Sequence, residues 1–172
     1  REFESALESI QEPFFAFDRE LATHAVYGQA GGTQTTDQEF ETTDDYWHAR
    51  GADLDAIRED YARGTEVAAR KFEERLGILR DQGLLEDTLV VFTADHGEAL
   101  GEHGMVGHTN VPLAPEMVYV PTVFYNDEVI VDGDFMGHVD LLPTNSSLID
   151  QSVDGDRPRY DPTEGAQDGR ML

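Results

Sequence analysis

Apolar and polar positions fall into distinct regimes along the chain. A polar opening with helix-like spacing gives way to Pro13-Phe14-Phe15-Ala16-Phe17, a short apolar run suited to a buried strand. Thr23-His24-Ala25-Val26-Tyr27-Gly28 follows, and residues 29–45, rich in Gly, Thr, Gln and Asp, predict a long surface loop. Leu54, Ile57, Tyr61, Ala68, Phe72, Leu76 and Leu79 then recur every three or four positions. That period sets them on one stripe of a helix reaching Gln82, with Asp53 as N-cap and Gly83 as the stop. Gly64 is the weak point of this helix, because glycine in a helix interior costs about 1 kcal/mol relative to alanine.

Thr88-Leu89-Val90-Val91-Phe92-Thr93-Ala94 is nearly all apolar or β-branched. A strand apolar on both faces belongs in the middle of a sheet covered by helices. Val118 to Tyr125 is a second such run, but Pro121 cannot donate to a ladder, so it predicts an edge strand or one starting at Pro121. His138 to Leu142 begins a short helix, and residues 151–172, rich in Asp, Gly, Pro and Arg, are expected to be a disordered tail. The order strand, loop, long helix, strand, loop, strand predicts an α/β sandwich, a mainly parallel central sheet flanked by helices. Ligands of such sheets collect beyond the carboxyl ends of the strands, which points to the residues after Ala94.

Charge changes the picture of partners. The 172 residues hold 36 acidic and 12 basic side chains, a formal net charge of -24, and Lys71 is the single lysine. Such a chain repels phosphate backbones, so nucleic acid is excluded as a partner. The acid excess runs through the ordered-looking middle as well as the ends and resembles proteins of extreme halophiles, in which salt screens the repulsion. A high-salt cytoplasm is the expected location, with export as the alternative. No apolar stretch approaches the ~20 residues that cross a bilayer, and no signal peptide is visible. The chain starts at Arg1, so an upstream segment is expected to be missing. There is no cysteine, which excludes disulfides, thiolate metal sites and thiol nucleophiles.

The chemistry concentrates after the most apolar strand. Asp95-His96-Gly97-Glu98 is followed by Gly101-Glu102-His103-Gly104 and Gly107-His108. Asp95 and His96 suit a hard or borderline divalent cation, and Gly97 lets the backbone turn close to a ligand. Glu98 and Glu102 are read as caps or loop carboxylates as readily as metal neighbours. His48 is read as a surface residue, and His138 as packing against or capping its helix.

The run from Leu85 to Glu98, continuing through Leu100-Gly101-Glu102-His103-Gly104, resembles the metal-binding signature of the sulfatases, within the alkaline phosphatase superfamily. Twelve positions after His96 stands His108, where the family places a basic residue that binds the anion or the leaving-group oxygen. Pro13-Phe14-Phe15 with Thr23-His24-Ala25-Val26-Tyr27 is similar to a segment whose His faces the sulfate. Val120-Pro121 and His138-Val139-Asp140-Leu141-Leu142-Pro143-Thr144 are similar to later family features. The resemblance implies an incomplete alkaline phosphatase-like fold, with residues 1–150 forming part of a catalytic domain. It implies a divalent metal at Asp95 and His96, Ca2+ first and Mg2+, Mn2+ or Zn2+ as alternatives. It implies His24 and His108 as catalytic and substrate-contacting residues, with His103 as a further substrate contact or a neighbour that supports them. The substrate would be a small-molecule or glycan sulfate ester. The family's nucleophile lies in a Cys/Ser-x-Pro-x-Arg segment that this sequence does not contain, its Arg157-Pro158-Arg159 being no match. The chain by itself is therefore expected to be inactive, pairing with a missing N-terminal half. A phosphotransferase or phosphodiesterase of the same superfamily, or a non-catalytic truncated relative, are the alternatives. Asn145-Ser146-Ser147 also fits a glycosylation acceptor, relevant only to an exported protein.

Overall fold

The long amphipathic stripe forms the predicted helix. The computed structural model describes residues 2–29, 38–51, 53–108, 113–125 and 136–150. Within them α1 spans Glu2–Ser9, α2 Thr43–Arg50 and α3 Leu54–Asp81. Strands β1 (Val90–Phe92), β2 (Ala99–Leu100), β3 (Val106–Gly107) and β4 (Val123–Tyr125) follow, with α4 (Pro115–Val118) after β3 and α5 (His138–Asp150) after β4. The tail expected over 151–172 lies outside the described residues, as do positions 30–37 of the expected loop. The described parts of Arg1–Leu85 and Glu98–Met117 form one compact unit, and those of Glu86–Gly97 and Val118–Leu172 a second.

In the first unit, Asp53 caps α3 by accepting the Ala56 N–H at 3.1 Å. Its buried face is Ile57, Asp60, Gly64, Val67, Leu76 and Leu79. Helix α2 departs from the surface loop that the composition of residues 29–45 predicts. Thr42 and Asp45 close a capping box there, satisfying the exposed N–H groups of the first turn. The helix then buries Tyr46 in a core with Tyr27, Phe40 and Ile57, flanked by Trp47, Tyr61, Leu100 and Val106. The rings meet edge-on, Tyr27 lying 5.3 Å from Tyr61 and 5.6 Å from Tyr46 between centroids. Each such pair adds about 0.5–1.5 kcal/mol beyond the apolar area it buries. Asp60, 2% exposed, accepts from Arg50 Nε at 2.7 Å and from the Tyr46 hydroxyl at 3.2 Å, so its buried charge is matched. The Tyr46 hydroxyl holds its proton well above the ordinary range, through burial first and the Asp60 charge second.

Segment 13–17 forms no strand, contrary to the sequence expectation: Phe15 and Phe17 are 85% and 81% exposed. A strand is stable only with a ladder partner, and no described strand pairs with this segment.

In the second unit, β1 pairs antiparallel with β4, Val91 opposite Phe124. Strand β4 covers Val123–Tyr125, shorter than the expected run from Val118 or a start at Pro121, and Val118 ends α4 instead. Helix α5 begins where expected, with Asp140 accepting the Gly137 N–H at 2.8 Å and His138 exposed in the first turn. Both strand pairs among the described residues are antiparallel, β1 with β4 and β2 with β3. The mainly parallel sheet of the sequence reading is thus not what these strands form. Strand β1 is half-buried, with β4 alone beside it among the described residues, so it is not the covered central strand its composition suggests.

Candidate functional site

In the first unit, α3 positions the segment that carries His24. The Glu20 carboxylate accepts the N–H groups of Leu21 and Ala22 at 3.0 and 2.8 Å and pairs with Lys71 Nζ at 2.9 Å. Asp18 pairs with Arg75 at 2.6 Å. The Ala22 carbonyl then drops onto Gly64, where a Cβ would lie 2.2 Å from its oxygen. Gly64, a weak point by helix propensity alone, is what allows the loop to sit this close to the helix. His24 turns its Nδ1 onto the Ala25 carbonyl. A carbonyl only accepts, so Nδ1 carries the proton.

A hairpin brings the second histidine. Strands β2 and β3 pair Ala99 with Gly107 and Leu100 with Val106 around a tight tip at Glu102–Gly104. Gly101 has φ 110 and presses on Leu54, with 2.8 Å between its would-be Cβ and the Leu54 side chain, so only glycine fits. Arg58 Nε donates to the Leu100 carbonyl at 2.9 Å and ties the hairpin to α3. Glu102 accepts the Leu100 N–H, and backbone donors, its own and that of Leu100, hold its carboxyl below the usual range.

The folded chain brings His24 and His108 together, with ring centroids 5.9 Å apart and edge to face. His108 Nδ1 lies 3.0 Å from Glu98 Oε1, and the Glu98 side chain is 6% exposed. Glu98 also faces the buried Tyr27 hydroxyl, which closes no hydrogen bond of ordinary geometry. Burial first, then the Glu98 charge, keep that hydroxyl protonated far above the ordinary tyrosine range. His103 is placed differently. It occupies the left-handed region at φ 55, is exposed, and lies 3.6 Å from Glu116. His48 is exposed, as expected.

In the second unit, Asp95 and His96 follow β1 after Thr93 and Ala94. Their side chains are 74% and 42% exposed, with Asp95 Oδ1 4.0 Å from His96 Nε2. His96 Nδ1 donates to the Gly97 carbonyl at 2.8 Å, which leaves the lone pair on Nε2, on the side of Asp95. That second-sphere bond is the usual preparation of a metal-binding imidazole. Among the described residues, no group of three or more His, Cys, Asp or Glu is placed to hold a metal ion. No described helix is long and apolar enough to cross a membrane.

The decisive comparison is with family models: the Sulfatase model matches residues 2–151. The chain belongs to the sulfatase family. It is 35% identical over 156 residues to the low-salt glycan biosynthesis sulfotransferase Agl7 of Haloferax volcanii, covering 87% of this chain and 36% of that protein. It is 36% identical over 70 residues to human iduronate 2-sulfatase, covering 40% of this chain and 12% of that one. It is 31% identical over 99 residues to the multifunctional alkaline phosphatase superfamily protein PehA of Trinickia caryophylli, covering 55% of this chain and 17% of that one. The chain thus spans about a third of the length of its Haloferax relative, and less of the other two. No solved structure matches. Membership places the chain in the alkaline phosphatase superfamily, with an α/β fold, and in a family that generally uses a divalent metal ion.

What the sequence reading missed is Glu98 as the partner of His108. Its signal was the spacing of the two residues about a glycine-bracketed tip, which only the hairpin register turns into a contact.

Proposed function

We propose that this chain contributes the anion-contacting histidines and part of the metal site of an enzyme acting on sulfate esters. The observation that carries the reading is the meeting of His24 and His108, residues far apart in sequence, at 5.9 Å between rings. Both imidazoles hold Nδ1 against an acceptor, so Nε2 is the nitrogen that, when protonated, would donate to the oxygens of a sulfuryl group. One of the two would protonate the departing alcohol as general acid. A glycan sulfate is the favoured substrate class, because the Haloferax relative, matched over 87% of this chain, is named a glycan biosynthesis sulfotransferase. His103, exposed and 3.6 Å from Glu116, belongs to the loop in this reading rather than touching the anion.

Asp95 and His96 would hold the divalent ion, Ca2+ first, with further ligands from water or from groups elsewhere. Their carboxylate and imidazole, 4.0 Å apart and solvent-accessible, suit such an ion as donors. When bound, it would neutralise negative charge building on the nucleophile and the ester oxygens. The 172 residues contain no cysteine and no Ser-x-Pro-x-Arg, so we assign the chain alone no turnover.

The similarity to PehA favours a second reading, a phosphoester substrate in the same site. Titration of the 172-residue protein with inorganic sulfate and phosphate in high salt, followed by histidine NMR, separates the two. Sulfate should perturb His24 and His108 at lower concentration than phosphate. A response to neither anion sinks both readings. Calorimetry with calcium should show heat that Asp95→Ala with His96→Ala abolishes. Equal heats would remove the metal assignment, and aryl sulfate hydrolysis abolished by Asp95→Ala would overturn the inactivity of the isolated chain.

A further inference from the structure

Glu98 immediately precedes β2, and His108 immediately follows β3. Carrying the ladder register one residue beyond the Ala99–Gly107 pair sets Glu98 opposite His108. Their side chains meet at 3.0 Å between Oε1 and Nδ1, while the Glu98 side chain is nearly sealed from water at 6% exposure. A buried carboxylate is unfavourable unless it is paired and hydrogen-bonded. It offers only acceptor lone pairs, so the imidazole donates from Nδ1, and the lone pair of the neutral ring resides on Nε2. The hairpin does not need this contact for its own cohesion, since it has its ladder, the Glu102 to Leu100 N–H bond and the Arg58 to Leu100 carbonyl bond.

We propose that Glu98 is a positioning residue for His108, holding its Nδ1–H and ring orientation so that Nε2 is the nitrogen turned to the anion and, when the ring is protonated, the one that donates to it. The functional half of this assignment rests on the sulfate-contacting role of His108 proposed above; the tautomer half does not. His24 reaches the same tautomer through a backbone carbonyl, which no side-chain substitution removes. The two rings therefore share an orientation rule but not its means, and only His108 depends on another residue's side chain for it.

The test is long-range 15N–1H correlation spectroscopy on the full chain in high salt, at a pH where the imidazoles are neutral, with sulfate binding measured at a lower pH where the protonated ring can donate from Nε2. Wild type should show His108 as the Nδ1–H form. Glu98→Ala should shift it toward the Nε2–H form and, at the lower pH where the imidazolium donates from Nε2, weaken inorganic sulfate binding by releasing the ring's orientation. Glu98→Gln, whose amide oxygen still accepts from Nδ1, should keep the tautomer and restore most of the sulfate affinity. His24 should remain Nδ1–H in both variants and serve as the internal reference. An Nε2–H His108 in wild type overturns the proposal without any variant, whether or not Glu98→Ala folds. An unchanged His108 tautomer in a folded Glu98→Ala also overturns it. The predicted tautomers together with no sulfate binding in any variant would support the positioning role while sinking the sulfate reading.

Discussion

Two glycines on the same helix should respond to alanine with opposite signs. At Gly64 a Cβ would lie 2.2 Å from the Ala22 carbonyl oxygen and 3.1 Å from its carbon. At Gly77 a Cβ would meet nothing within 4 Å. Ordinary contact begins near 3.4 Å, so in Gly64→Ala the Ala22 carbonyl must recede by about 1.2 Å. The obstacle is backbone, held by the Glu20 carboxylate and through it by Lys71, and cannot swing aside like a side-chain tip. Overpacking of this kind costs about 1–3 kcal/mol, and a rigid obstacle belongs at the upper end. Alanine returns about 1 kcal/mol of helix preference, leaving Gly64→Ala less stable by about 2 kcal/mol. Gly77→Ala gains the helix term alone and should be more stable by up to ~1 kcal/mol. Urea unfolding of both variants in the same high-salt buffer, compared at constant m, measures the pair. Equal shifts of the same sign would refute the close packing of the His24 loop on α3. A destabilised Gly64→Ala should also lose sulfate response at His24, because Ala22 lies two residues before it.

Other perturbations have definite expected outcomes. Asp60→Ala leaves Arg50 and the Tyr46 hydroxyl without their shared buried acceptor and should destabilise by about 3 kcal/mol; a loss below about 1 kcal/mol in denaturant unfolding would contradict the pairing. Glu102 has a folded-state pKa below its ordinary 4.5, through backbone hydrogen bonds, so it stabilises fully above that value and progressively less as pH falls through the lowered one. Glu102→Gln should flatten that acid limb of the stability–pH curve, and superimposable wild-type and variant curves would rule this out. With a net charge of -24, the melting temperature should rise steeply as salt is raised from low to molar concentration, and a flat response would remove the salt-adapted interpretation.

The parts legible in the sequence are those governed by local pattern. Helix α3 announced itself because a 28-residue amphipathic period, an Asp cap and a trailing glycine agree. The apolar run after Val118 does hold a strand, β4, although only its last three residues form it. Helix α2 was hidden in a polar stretch, and its cap used Asp at the position where a longer Glu or Gln is the stronger signal. Residues 13–17 have strand composition but no described strand beside them, and composition cannot supply a ladder. The histidines of the site came from family resemblance, which identified His24 and His108 separately. Their meeting, the Glu98 contact and the necessity of Gly64 all depend on how the hairpin and the 18–24 loop dock on α3, which residue order alone does not express.

The register of the β2–β3 hairpin sets a rule on chain length. Because side chains alternate faces along a strand, inserting or deleting one residue in β2 or β3 would exchange the two faces and separate Glu98 from His108. The tip at Glu102–Gly104 carries no such constraint, so changes of length accommodated wholly there preserve the pair. Engineering or natural drift can therefore reshape the tip, His103 included, with the acid–imidazole couple intact, whereas a single-residue slip in either short strand dismantles it.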